Sequence, residues 1–210
     1  MDIKKYKAGH FTKQFGYKSF IPETINREWM ISNPEIASLL EEANLRLGKL
    51  NGISSILPEV DTFLRMHIVK EATQSSRIEG TKTEIDEAIL AEKDIAPEKV
   101  NDWQEVQNYM EAMQFSIDKL DELPLSTRLL KQAHKILLKG VRGKSKMPGE
   151  FRNSQNWIGG ATLKDATFIP PHPSLVPDLM SDLEKFLNNT DIHVPHLIRI
   201  GMAHYQIEAI

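Results

Sequence analysis

The chain has 210 residues, 40% of them hydrophobic, enough to build a packed core and to set the expectation at one or two domains. Its 26 basic and 29 acidic residues give a formal net charge of −3, so no global field draws it to nucleic acid or anionic lipid. Cysteine is absent, which excludes disulfides, thiolate metal sites and a cysteine nucleophile and suits a cytoplasmic location, and no stretch is apolar and long enough to span a bilayer or serve as a secretory signal.

Residues 1–30 carry Gly9, Gly16 and Pro22 among scattered aromatics, lack helical period, and read as an extended arm lying on a body. Asn33-Pro34 then signals a helix start, and Ile36, Leu39, Leu40, Ala43, Leu47 and Leu50 follow on one stripe until Gly52. Pro58 opens a second helix with Val60, Phe63, Leu64, Ile68, Ala72 and Ile78 facing inward and Gly80 at its exit. Thr83 with Asp86 predicts a capping box for a short third helix through Leu90. A fourth helix runs from Pro97 to Leu120, where Trp103, Met110 and Met113 are core residues, and Ser126 caps a fifth that ends at Gly140.

Between Gly140 and Pro177 the period changes. FRNSQNWI and ATFIP alternate like strands around Gly159-Gly160, which predicts a β-hairpin, and Pro170-Pro171-His172-Pro173 follows as an extended connector. Helix returns at Val176–Leu187 and again from Pro195 to the end, the last with Leu197, Ile198, Gly201, His204, Tyr205 and Ile207/Glu208 on one spacing. The fold class is mainly α with one inserted hairpin.

Two motifs are set aside on context. Gly143-Lys144-Ser145 has Leu138 where the first P-loop glycine must stand and a helix where a strand is needed, so it reads as a basic turn. His193 and His196 lack a third ligand nearby, so no metal site is assigned.

Ser75-Ser76-Arg77-Ile78-Glu79-Gly80 is less ordinary. It places a carboxylate in the last turn of a helix, where the dipole disfavours negative charge. Glu79 is then either an exposed helix-end charge satisfied by Arg77 or solvent, or a group held there because it reaches a cation elsewhere. The stretch PGEFRNSQNWIGG alternates aromatic, Ile158 and amide side chains before paired glycines, the composition of a hairpin whose edge accepts another chain or one that merely covers the core.

Together these residues resemble the Fic (Fic/Doc) family of protein adenylyltransferases, from about Pro34 onward. Ser75-x-x-x-Glu79-Gly80 is similar to the family's inhibitory motif, Pro148 to Gly160 to its flap, Phe168 to Pro173 to the segment after it, and His204 to Ile210 to the helix that leads into the signature His-Pro-Phe-x-(Asp/Glu)-Gly-Asn-Gly-Arg-x-x-Arg. The resemblance implies a Fic-type helical bundle, divided as residues 1–122 (arm and helical domain with the inhibitory helix) and 123–210 (an incomplete Fic core with the flap). It implies a nucleotidyltransferase that moves AMP from ATP, with Mg²⁺, to a Ser, Thr or Tyr hydroxyl of a target protein.

Within that resemblance, Ser75, Glu79 and Gly80 form the inhibitory motif, and Glu79 competes with the ATP γ-phosphate for an arginine. Gln155, Asn156, Trp157, Ile158 and Gly159 form the target-docking flap. The sequence is expected to be truncated just before the signature, so it holds no catalytic residue, should bind ATP and Mg²⁺ poorly, and should be inactive. The final helix, with Leu197, Ile200 and Ile207 uncovered, should favour self-association. The alternative is a non-catalytic module that holds target segments by the flap. Neither membrane nor nucleic acid is an expected partner.

Overall fold

A computed structural model of the chain describes residues 1–143 and 145–210; Lys144, in the basic turn set aside above, lies outside the described residues. Among them the fold is mainly helical with one two-stranded antiparallel hairpin. The helices are α1 (Pro34–Ser54), α2 (Val60–Ile78), α3 (Ile85–Ala88), α4 (Val100–Lys119), α5 (Thr127–Leu137), α6 (Val176–Asn188) and α7 (His196–Ala209). The strands are β1 (Gly9–Lys13) and β2 (Lys18–Pro22).

The hairpin therefore sits in the N-terminal arm rather than in the flap. GHFTK and KSFIP alternate across a tight Phe15-Gly16 tip, with Phe11 opposite Phe20 and Lys13 opposite Lys18. Gly16 takes φ +85°, the left-handed conformation that glycine adopts at little cost. The expected flap hairpin closes through a single antiparallel bridge, Ile158 with Phe168. Its ladder stops there because Gly159 and Gly160 both turn to φ +71°, and the Asp165 carboxylate accepts the N–H groups of Ala161 and Thr162 at 2.9 and 2.8 Å.

Contacts gather the chain into two compact units. Residues 1–47 with 151–210 form one, and Gly48–Glu150 the other. In the first, Ile25, Trp29, Leu183, Phe186, Val194 and Ala203 make the core, with Ile198 and Met202 of α7 packed against it. The Trp29 indole donates to Ile25 O at 2.9 Å, so its polar edge is satisfied inside the core. The face of α7 that is buried is Ala203, Gln206 and Ala209, not Gly201, His204 and Tyr205. Apolar periodicity misplaced it because fully buried Gln206 donates its amide to Glu23 O at 3.2 Å, which puts a polar residue on the inner face.

In the second unit Ala72 of α2, Ala88 of α3 and Val106 of α4 form the core, joined by Val69, Tyr109 and Met110. Ser126 caps α5 as expected, accepting from Leu129 N at 3.4 Å. Buried Asn108 of α4 donates to Leu137 O and Lys139 O at 3.1 and 2.8 Å, supplying partners for carbonyls that the end of α5 leaves open. Two expectations are corrected here. The capping box of α3 is Glu84 with Glu87, one residue beyond Thr83 and Asp86, because Thr83 is drawn inside and is almost fully buried. Phe63, Leu64 and Ile78, expected to face inward, are exposed, Ile78 by 85%, since the buried positions of α2 are Ala72, Thr73 and Ser76, small residues that allow close approach. No residue of α1 is buried, although its apolar stripe is present.

Candidate functional site

The end of α2 is set by Gly80. With φ at +97° it reverses the chain, so that its own N–H reaches Arg77 O at 3.0 Å and the N–H of Thr81 reaches Ser76 O at 3.1 Å. This pair of bonds satisfies carbonyls that a helix end leaves open, and Thr81, buried, locks the exit. Glu79 is thereby fixed as the residue just before the reversal, at the negative end of the helix.

The side chains around Glu79 are committed elsewhere. Arg77 pairs with Glu84 at 2.5 Å and not with Glu79, so of the two ordinary explanations only solvation remains for this exposed carboxylate. The Ser75 hydroxyl donates to Glu71 at 2.7 Å. Among the described residues the Glu79 carboxylate has neither hydrogen bond nor ion pair, and it borders a cavity of about 520 Å³ that Ser75, Ser76, Tyr109, Leu137, Leu138 and Val141 also line. Arg142 reaches the same cavity, but its guanidinium is held in a two-pronged bond by Glu105 at 2.6 and 2.7 Å. That carboxylate, first through its hydrogen bonds and then through its charge, holds Arg142 above its ordinary pKa.

The flap lies in the other unit. Ile158 donates to Phe168 O at 2.8 Å and Phe168 donates back to Ile158 O at 3.1 Å. In such a pair both backbone groups of Ile158 point inward, so those of Trp157 face the outer edge, where no described residue meets them. Ile158 is 63% exposed and Trp157 and Asn156 are exposed beside it. Gly159 is obligatory: a Cβ there would stand 2.3 Å from Thr167 Oγ1. Hydrogen bonds from the Thr162 hydroxyl and from backbone N–H groups hold the Asp165 carboxyl down to about 2.

Gln155 serves as a support. Its amide donates to Asn156 O and Pro170 O, both at 3.0 Å, and accepts from Tyr17 at 3.5 Å. Two contributors were missed from sequence. Half-buried Arg152 donates to Pro171 O at 2.6 Å and Ile210 O at 2.9 Å, tying the base of the flap to the end of α7. The arm supplies a neighbour to the flap, with Phe20 N–H on Ile169 O at 2.8 Å. The alternation of GHFTK and KSFIP around Phe-Gly was the available signal for the second.

Ser75, Glu79 and Gly80 thus share one unit and the flap residues the other. No helix among the described residues is long and apolar enough to cross a membrane.

Comparison with known proteins gives matches along most of the chain. Residues 37–118 match the Fic/DOC family N-terminal model and residues 124–210 the Fic/DOC family model. Among solved structures, a Fic family protein from Desulfovibrio desulfuricans G20 superposes with a TM-score of 0.64 at 21% identity over 88% of this chain and 54% of that one. The chain therefore spans about half the length of that relative, and the likeness is one of fold. With two adjoining models of one family covering about four-fifths of its residues, the chain belongs to the Fic/DOC family.

Proposed function

We propose that these residues are the regulatory and target-holding part of a protein adenylyltransferase, which moves AMP from ATP to a hydroxyl side chain of a target protein. The observation that carries this is Glu79: a carboxylate fixed by the Gly80 reversal at the unfavourable end of α2, without a partner, beside a cavity whose one arginine is already engaged. An arrangement that gains nothing for the fold is explained if the carboxylate waits for a cation that phosphate would otherwise occupy. Residues 1–122 then carry the inhibition and 123–210 the flap and the helix that precedes the signature.

On this reading the described residues are not the nucleotide or metal site. The cavity presents Glu79 and Glu105 beside the already engaged Arg142, and among the described residues no group of three or more His, Asp or Glu is placed to hold a metal. Nucleotide and metal are therefore assigned to the family's His-Pro-Phe segment, which does not occur within these 210 residues. What this part does is positional. The flap holds a target segment along its open edge through main-chain bonds, with Ile158 beneath the acceptor hydroxyl, and alignment of that kind is worth several kcal/mol of barrier in group transfer. Glu79 decides whether the phosphate-binding arginine is free.

The test is Glu79→Gly in a chain that continues through the signature: AMP transfer rises strongly, and equal rates with and without the carboxylate would refute the reading. The 210 residues alone transfer no AMP. A second reading, a module that holds targets without modifying them, is favoured by the same open flap edge and predicts target binding with no effect of Glu79. Exposed Ile200 (61%) and Ile207 on α7, with the uncovered stripe of α1, lead us to expect self-association, seen as concentration-dependent sedimentation.

A further inference from the structure

The arm hairpin carries chemistry that the flap reading does not use. Residues two apart on a strand share a face, so the register places Phe11, Lys13, Lys18 and Phe20 together. On this face Phe11, Lys13 and Lys18 are exposed, whereas Ser19 on the opposite face is completely buried. Phe11 meets Phe20 edge to face at 5.3 Å between ring centres, and Phe20 meets Phe168 of the flap at 5.7 Å. Phe168 is in turn paired with Ile158. The result is an apolar row, Phe11, Phe20, Phe168 and Ile158, running from the arm to the edge of the flap, with Phe11 and Ile158 about 60% exposed at its ends.

Charge closes one side of the row. Lys13 and Lys18 stand directly opposite each other, an arrangement that repels, and neither has an acidic partner among the described residues. Residues 1–22 hold five lysines against one aspartate in a chain whose net charge is −3. An anion bound over this pair would relieve the repulsion, and Phe15, fully exposed at the tip, extends the same surface. A nucleic-acid strand would need a track of cations and open ring faces; here two lysines flank rings that are engaged edge to face.

We propose that the N-terminal hairpin is a second docking face for the flap's protein substrate, taking an apolar side chain on the Phe11–Phe20 row and acidic side chains on Lys13 and Lys18. This rests on the reading of the flap as a target-docking edge. Strands lie about 4.8 Å apart, and Phe11 is four strand spacings from a strand added at the flap, about 19 Å, a span that about six extended residues cover. The hairpin would thus select targets with an acidic, leucine-bearing stretch a few residues from the acceptor hydroxyl.

The experiment uses the 210-residue protein, isotopically labelled, titrated by NMR with a synthetic peptide joining Ala-Thr-Val-Thr-Ala to Glu-Leu-Glu-Leu-Glu through Gly-Ser. The expected result is a saturable shift at the amides of Phe11, Lys13, Lys18 and Phe20 together with those of Trp157 to Gly159. A companion peptide with lysine in place of each glutamate should shift only the flap. Lys13→Glu replaces the repelling pair with an attracting one, so the hairpin stays folded, yet affinity for the acidic peptide should fall at least tenfold; Phe11→Thr should weaken it as well. Flap shifts without hairpin shifts, or undiminished affinity in Lys13→Glu, overturn the proposal and leave the flap reading standing. Hairpin shifts without flap shifts remove the flap reading and the proposal with it. Equal or tighter binding of oligothymidine or of phosphatidylserine vesicles at the same amides overturns it in favour of those partners.

Discussion

Replacing Glu79 by Gln asks whether its charge does anything for the fold. The amide keeps the shape of the side chain and removes only the charge. In the structure Glu79 stands at the carbonyl end of α2, where Gly80 and Thr81 already donate to Arg77 O and Ser76 O, and its nearest sequence cation, Arg77, is held by Glu84. Relief of an unfavourable charge at a helix end is worth about 0.3–1 kcal/mol at low ionic strength. For a chain of this size 1 kcal/mol moves the melting temperature by about 2–4 °C, so the variant should melt about 1–3 °C higher. Salt decides the cause: near 1 M the screening length shrinks to about 3 Å and the gain should vanish. Differential scanning calorimetry of both proteins at low and high salt makes the measurement. A fall in melting temperature of more than about 2 °C would show that Glu79 has a structural partner and would remove the argument that it is reserved for another cation.

Gly159→Ala should open the flap, because its Cβ would meet Thr167 Oγ1 at 2.3 Å and φ is +71°; faster hydrogen exchange at Ile158 and Phe168, with the cores unchanged, is the expected sign. Asn108→Ala leaves the carbonyls of Leu137 and Lys139 without their donors in a partly buried site and should cost about 1–3 kcal/mol in denaturant unfolding. His134 accepts the Gly149 N–H at 3.0 Å through Nδ1, and burial holds its pKa below the ordinary 6.5. With the folded value depressed, its contribution is present above pH 6.5 and is lost as pH falls through the folded value. Melting temperature should therefore drop on that side, and His134→Gln, which keeps an acceptor without titrating, should flatten the drop.

Most helices were legible because periodicity and end signals agreed: Asn33-Pro34, Ser126 and Gly80 mark ends that the structure keeps. What escaped depended on tertiary partners. Gln206 is buried because Glu23 O accepts from it, a fact that no local pattern contains. Thr83 yielded the capping role to Glu84 because the core draws it in. The arm's strands are each only five residues, bounded by glycine and proline, and alternation over so short a run is hard to tell from an irregular arm. In the flap the alternation was real, but two glycines at positive φ end the ladder after one pair. Of the candidate site, the motif at Ser75 to Gly80 was readable, whereas the engagement of Arg77 by Glu84 and of Arg142 by Glu105 needed three dimensions.

The central claim is that Glu79 withholds a cation from phosphate. It is tested most directly by following labelled AMP from ATP onto an added protein target, using a chain that continues through the His-Pro-Phe signature, with Glu79 intact and with Glu79→Gly at equal concentration. The account predicts slow transfer with the carboxylate and strongly faster transfer without it, at nearly unchanged melting temperature. Equal rates in the two proteins would contradict it.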